Sequence, residues 1–236
     1  MSEKSFRDRQ GKTSLLMNTI ITFTPAHNPA DSALSTATMT SFISTIDTKN
    51  TLVEGFVTSY TTQSRERLTL TKILKATATR IVARLKSNAA WNAQAATAKG
   101  LVEKLRGKSA PKAKPPTDGE PPEVTKKRNA GEQAFVEIAA LFERLITVAT
   151  GAPSYSIGVP LELSSTTLTT QLNAFKAKNT TLGTLAGQIA IEQKKRYALY
   201  YDPAGLAEKF KSLKEAVKSQ YGSASPEYAS VKGQKW

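Results

Sequence analysis

The sequence predicts an all-α protein: two tandem related antiparallel helical-bundle units joined by a Pro/Lys-rich linker. Three observations carry that expectation. Apolar residues recur at the spacings that line one face of a helix, on both sides of the chain's middle. Alternation with a period of two, the mark of a half-buried strand, is weak throughout. The two sides also repeat each other under a shift of 129 positions, and such self-similarity signals a duplicated structural unit.

The first unit is expected over residues 1–106. An apolar helical segment around Leu15–Phe23 opens it. Asp31 or Ser32, with Ser35 close behind, suits a helix cap. Met39, Phe42, Ile43, Ile46, Val53, Phe56, Val57 and Tyr60 then fall mostly on one helix face. No Gly or Pro occurs between Phe56 and Lys99, so one or two long helices fill that span.

The linker is placed at 107–128, where Pro111, Pro115, Pro116, Pro121 and Pro122 remove N–H donors and favour extended backbone. The second unit follows over 129–236 and opens with the apolar stretch Phe135–Val148. Pro160 and Glu162 suit the first turn of the next helix, in which Leu168, Leu172, Phe175, Leu182, Leu185 and Ile189 share a face. Asp202-Pro203-Ala204-Gly205 ends that helix, and another runs from Leu206 to about Tyr221. Tyr221-Gly222 reads as a helix C-terminus. Ser223-Ala224-Ser225-Pro226 starts a short helical turn with Pro226 at its first position and Glu227 favourable near its positive end, which lets Tyr228, Val231 and Trp236 fold back onto the bundle.

Under the shift of 129, Leu34-Ser35 falls on Leu163-Ser164 and Ile43 on Leu172. The triplet Lys49-Asn50-Thr51 falls on Lys178-Asn179-Thr180, and Arg67 on Arg196. Three extra residues, at Asp202-Pro203-Ala204, then bring Leu74 onto Leu206, Ile81 onto Leu213 and Leu85-Lys86-Ser87 onto Val217-Lys218-Ser219. The triplet and the matched arginine favour duplication over chance alignment of common Thr and Leu.

Composition narrows the function classes. With no cysteine, disulfides, thiolate metal sites and thiol catalysis are excluded. The single histidine, His27, sits between Pro25 and Pro29 and reads as a surface-loop residue. One imidazole without a dense carboxylate pair does not build a typical zinc site. Gly11-Lys12-Thr13-Ser14 ends like a phosphate-binding loop but lacks the upstream glycine and the strand-to-helix turn. No catalytic set and no cofactor motif stand out, so a non-enzyme is expected. The charged N-terminus shows no secretory signal, and Leu15–Thr22 is too short and polar to span a bilayer. A cytoplasmic location is the default.

The formal charge is +14, with 33 basic residues against 19 acids. Arg65, Lys72, Lys75, Arg80, Arg84 and Lys86 occupy one side of a helix, opposite Leu70, Ile73, Leu74, Ile81 and Leu85. Glu66 is the sole acid between Thr61 and Gly100. This is a candidate anion-binding face, for a phosphate backbone or an acidic partner, or simply a solvated surface. Arg67 and Arg196 project on the apolar side, where an arginine needs a partner, and a structural role is expected for both. Tyr197, Tyr200, Tyr201, Phe210 and Tyr221 interleave with lysines as in single-strand binders, although their helical spacing fits core packing better.

The C-terminal series Arg196-Tyr197-Ala198-Leu199-Tyr200, Gly205-Leu206, Val217-Lys218-Ser219-Gln220-Tyr221-Gly222 and Ser225-Pro226-Glu227-Tyr228 resembles the tail of helical-bundle proteins of Bacteroidetes that have no assigned activity. Tyr221 and Trp236 stand where that family usually has Phe. The resemblance implies a bacterial helical protein and says nothing about a substrate. Two roles therefore stay open: a structural or scaffolding protein that assembles with copies of itself or other proteins, and a basic protein that binds nucleic acid or the ribosome.

Overall fold

The computed structural model describes residues 3–107 and 130–236. The linker expected at 107–128 lies, beyond Gly107, outside those residues. Among the described residues every regular element is helical: α1 (Glu3–Ile21), α2 (Thr36–Lys86), α3 (Asn92–Leu105), α4 (Ala130–Thr150), α5 (Ser165–Tyr201), α6 (Leu206–Tyr221) and α7 (Pro226–Lys232). Single 3₁₀ turns at Ser32–Leu34, Ala89–Trp91 and Leu161–Leu163 precede α2, α3 and α5.

The helix starts follow from local chemistry. The Ser35 hydroxyl accepts the Thr38 N–H at 3.3 Å, and the Ser164 hydroxyl accepts the Thr167 N–H at 3.3 Å, satisfying one free donor at the start of α2 and of α5. Asp31 caps the first 3₁₀ turn through the Ala33 N–H. Pro160 belongs to the 3₁₀ turn rather than to α5, which begins five residues later at Ser165. Ser225 accepts the Tyr228 N–H and Pro226 stands at the first position of α7. The many helical threonines are accommodated because their hydroxyls donate to the carbonyl four residues back, as from Thr40, Thr45, Thr71 and Thr181.

The chain forms two compact units. One comprises residues 1–60 and 185–236, the other residues 61–184. Each draws on both sides of residues 107–128, whereas the sequence suggested units at 1–106 and 129–236. The reason lies in α2 and α5, which run without a break for 51 and 37 residues, and each contributes to both units.

In the first unit, Leu16, Met17 and Ile20 of α1 and Met39 of α2 are buried with Phe210, Leu213 and Val217 of α6 and Val231 of α7. A second cluster joins Phe6 and Ile46 to Tyr200 and Leu206. In the second unit, Leu74, Ala78, Ile81 and Leu85 of α2 pack with Ala95, Ala98 and Val102 of α3. Phe142 and Leu145 of α4 and Leu168 and Phe175 of α5 complete that core.

Elements 129 positions apart have matching boundaries. The first and third 3₁₀ turns coincide, α1 and α4 end at Ile21 and Thr150, and α2 and α5 begin at Thr36 and Ser165. The correspondence breaks at Asp202-Pro203-Ala204-Gly205, which separates α5 from α6 while α2 continues. Glycine is required there: a Cβ on Gly205 would lie 2.8 Å from the Asp202 carbonyl oxygen and 2.9 Å from the Tyr200 carbonyl carbon.

Candidate functional site

Four pairs of residues 129 apart hold equivalent places, one of each pair in either unit. Arg196 is buried with its guanidinium 4.2 Å from the centre of the Phe6 ring, and Arg67 is buried 3.7 Å from that of Phe135. Phe6 and Phe135 are themselves 129 apart. Lys49 pairs with Glu192 in the first unit, and Lys178 reaches Gln63 at 2.7 Å and Glu66 at 2.6 Å in the second. In the first unit the buried Asn50 amide donates to the Tyr200 hydroxyl at 2.9 Å, and that hydroxyl donates to the Phe6 carbonyl at 2.9 Å. In the second, where Thr71 stands at the position matching Tyr200, the Asn179 amide reaches the Phe135 carbonyl directly, at 3.5 Å.

Other contacts differ in detail. Arg7 of α1 makes a two-pronged contact with Glu54 at 2.8 Å and also meets Asp47, tying α1 to α2. This lowers the Glu54 carboxyl below its ordinary value and raises the Arg7 guanidinium. The Glu192 carboxyl is lowered by hydrogen bonds from Lys195 and Lys49. In the second unit Lys176 and Glu143 tie α5 to α4 at 2.9 Å.

The six residues of the candidate anion-binding face do not act together. Arg84 is turned inward: its guanidinium donates to the carbonyls of Tyr155, Ile157 and Gly158 and lies 5.2 Å from the Tyr155 ring centre. It anchors the loop after α4, with the Trp91 indole N–H on the Pro153 carbonyl. In the first unit Gln220 and Tyr221 do the same for the loop after α1, through Ala26, Asn28 and Pro25. Arg80 faces Glu162 at 3.6 Å. Arg65, Lys72 and Lys86 are exposed and Lys75 is half-buried. Lys86 borders a cleft between α2 and α3 with Lys99, Arg106 and Glu103, so α3 and the residue after it supply cations that spacing along α2 does not group with this face.

His27 lies in the loop after α1 but is buried rather than on the surface. Burial lowers its pKa, and the Gln220 side chain beside it acts in the opposite direction. Gln220 and Tyr221 of α6 hold the 25–28 loop that carries it. The aromatic group divides. Tyr200 and Phe210 are core residues, Tyr201 and Tyr221 are half-buried, and Tyr197 is exposed, its ring 4.6 Å from that of Tyr201.

Arg7 and Glu192 carry ion pairs that the sequence does not signal, because lone charges on helices do not announce their partners. The repeated Lys-Asn-Thr triplet is the one sequence signal for the lysine and asparagine contacts. Among the described residues no group of three or more His, Asp or Glu is placed to hold a metal ion, and no helix is long and apolar enough to cross a membrane. Comparisons of the chain with protein families, with curated proteins and with solved structures yield no match.

Proposed function

We propose that this protein is a non-enzymatic structural component, a duplicated helical unit that assembles through its bundle surfaces with copies of itself. The duplication reading draws support from the matched element boundaries and from the equivalent places of Arg67 and Arg196, Lys49 and Lys178, and Phe6 and Phe135. The observation that carries the assembly reading is a pair of helix stretches in which no side chain is fully buried. Between Val53 and Arg67 in α2, and between Leu182 and Arg196 in α5, no residue is buried. These stretches nevertheless carry Phe56, Tyr60, Leu185 and Ile189, all half-buried, and the exposed Ile191, and Leu52 and Leu68 flank the first with exposed apolar surface. A helix segment with apolar residues and no core of its own is stabilised by packing against a partner.

Light scattering on a sizing column, over a hundredfold range of concentration, tests this. A mass that is a multiple of 25.5 kDa is expected. A constant mass of one chain at every concentration overturns the reading.

The alternative, a polyanion binder, is favoured by the exposed cations of α2 together with Lys99 of α3 and Arg106 just after it. Replacing Lys72, Lys75 and Lys86 with Gln is expected to lower the salt dependence of duplex-DNA binding, by about 0.9 in log–log slope for each phosphate that is no longer neutralised. Arg84 is left in place because its removal would free the loop after α4. An unchanged slope, or a parent that does not bind at low salt, removes this alternative.

A further inference from the structure

We propose that the cleft beside the α5–α6 break binds a small amphiphilic monocarboxylate, an apolar body carrying one anionic head group. The cleft belongs to the unit formed by residues 1–60 and 185–236 and has a volume of about 480 Å³. Small-molecule pockets run from about 300 to 1,000 Å³. Phe42 and Thr45 of α2 form one side, and Ala198 and Leu199 of α5 the other. Asp202, Ala204 and Gly205 close the end, so the segment that interrupts the helix is also a wall of the cleft.

The charge at the rim is specific. Lys49 and Lys195 border the cleft, and both donate to one carboxylate, Glu192, whose side chain is only 12 % exposed. Lys209 adds a third ammonium, 5.3 Å from the centre of the Phe42 ring. Glu192 and Asp202 supply two carboxylates against these three cations, which leaves one positive charge beside an apolar wall. An ammonium has three N–H donors, so Lys195 keeps donors for a ligand while holding Glu192. A single carboxylate on a hydrocarbon body complements that arrangement in both charge and polarity.

The other unit supplies an internal comparison. At the positions 129 away, Phe42 is replaced by Gln171, Ala198 by Thr69 and Lys195 by Glu66. There Lys178 pairs with Glu66 itself, the excess cation is gone, and α2 runs on without a break. The aromatic side, the second lysine and the extra wall all belong to one unit alone. Packing requirements common to both units therefore do not account for them.

The proposal is independent of self-assembly and is tested on the full chain by amide chemical-shift titration with monomeric decanoate. Shifts are expected to centre on Thr45, Ala198 and Gly205. Thr45 is exposed, so Thr45→Trp fills the cleft without disturbing the core and is expected to weaken binding at least tenfold at unchanged melting temperature. Lys195→Gln, also at an exposed position, is expected to weaken decanoate about fivefold. Decyltrimethylammonium, with the same body and the opposite charge, is expected to bind at least tenfold more weakly than decanoate. No decanoate binding by the parent overturns the proposal. So do shifts scattered over the surface, equal binding of the cationic analogue, or undiminished binding by both variants.

Discussion

Cutting the chain once between Gly107 and Ala130 is expected to leave the protein folded, as two peptides that elute together and separate only in denaturant. Each core is built from both sides of the cut. Leu16 and Met39 pack with Phe210 and Val217 in one unit, and Leu74 and Ile81 pack with Phe142 and Phe175 in the other. Burying one such side chain contributes about 1.5–3 kcal/mol, and a domain is stable by only about 5–15 kcal/mol in total. Either fragment alone lacks the partners of nearly every core residue it holds, so isolated fragments are expected to lose most of their helical circular dichroism. An inserted protease site, followed by sizing of the cut protein in buffer and in urea, makes the measurement. Fragments that drift apart in buffer while each stays folded would restore the tandem arrangement of 1–106 and 129–236.

Replacing Asn50 with Leu is expected to destabilise the first unit by about 1–2 kcal/mol, the net cost of two lost hydrogen bonds, since the Tyr200 hydroxyl keeps the Phe6 carbonyl as a partner. Asn50 is fully buried and donates to both the Tyr200 hydroxyl and the Gln10 side-chain oxygen. The same change at Asn179 is expected to cost less than about 1 kcal/mol, because its contact is long, at 3.5 Å, and only half-buried. The two tryptophans separate the readouts: Trp91 packs in the core of the second unit, and Trp236 packs against Tyr201 in the first. Urea unfolding followed by fluorescence, with each tryptophan in turn replaced by Phe, resolves them. Equal losses at the two asparagines would show that the Tyr200 hydroxyl adds nothing to the first node.

Local interactions made much of this molecule legible in the sequence. The all-helical class, Pro226 at the first position of α7, the stop at Asp202-Pro203-Ala204-Gly205 and the inward side of Arg67 and Arg196 all follow from apolar spacing and from residues that start or end a helix. These effects act within a few residues, so they can be read along the chain. The pairing of Phe6 with Arg196 and of Phe135 with Arg67 was half visible, since the arginines were seen to need a partner but nothing local identified it.

What only the tertiary structure decided was which residues meet. A helix has no mark along its length for the point where its neighbours change, so α2 and α5 each serve two units and the division does not fall at 107–128. Charge was equally ambiguous. Arg84 reads as one of six cations on a face, yet its guanidinium is engaged by the Tyr155 carbonyl, 71 positions away. His27, flanked by prolines, reads as exposed, yet it is buried in a loop that α6 holds. In each case sequence determined what a side chain is able to do. The contacts that decided what it does come from residues far along the chain, and chain folding alone brings those together.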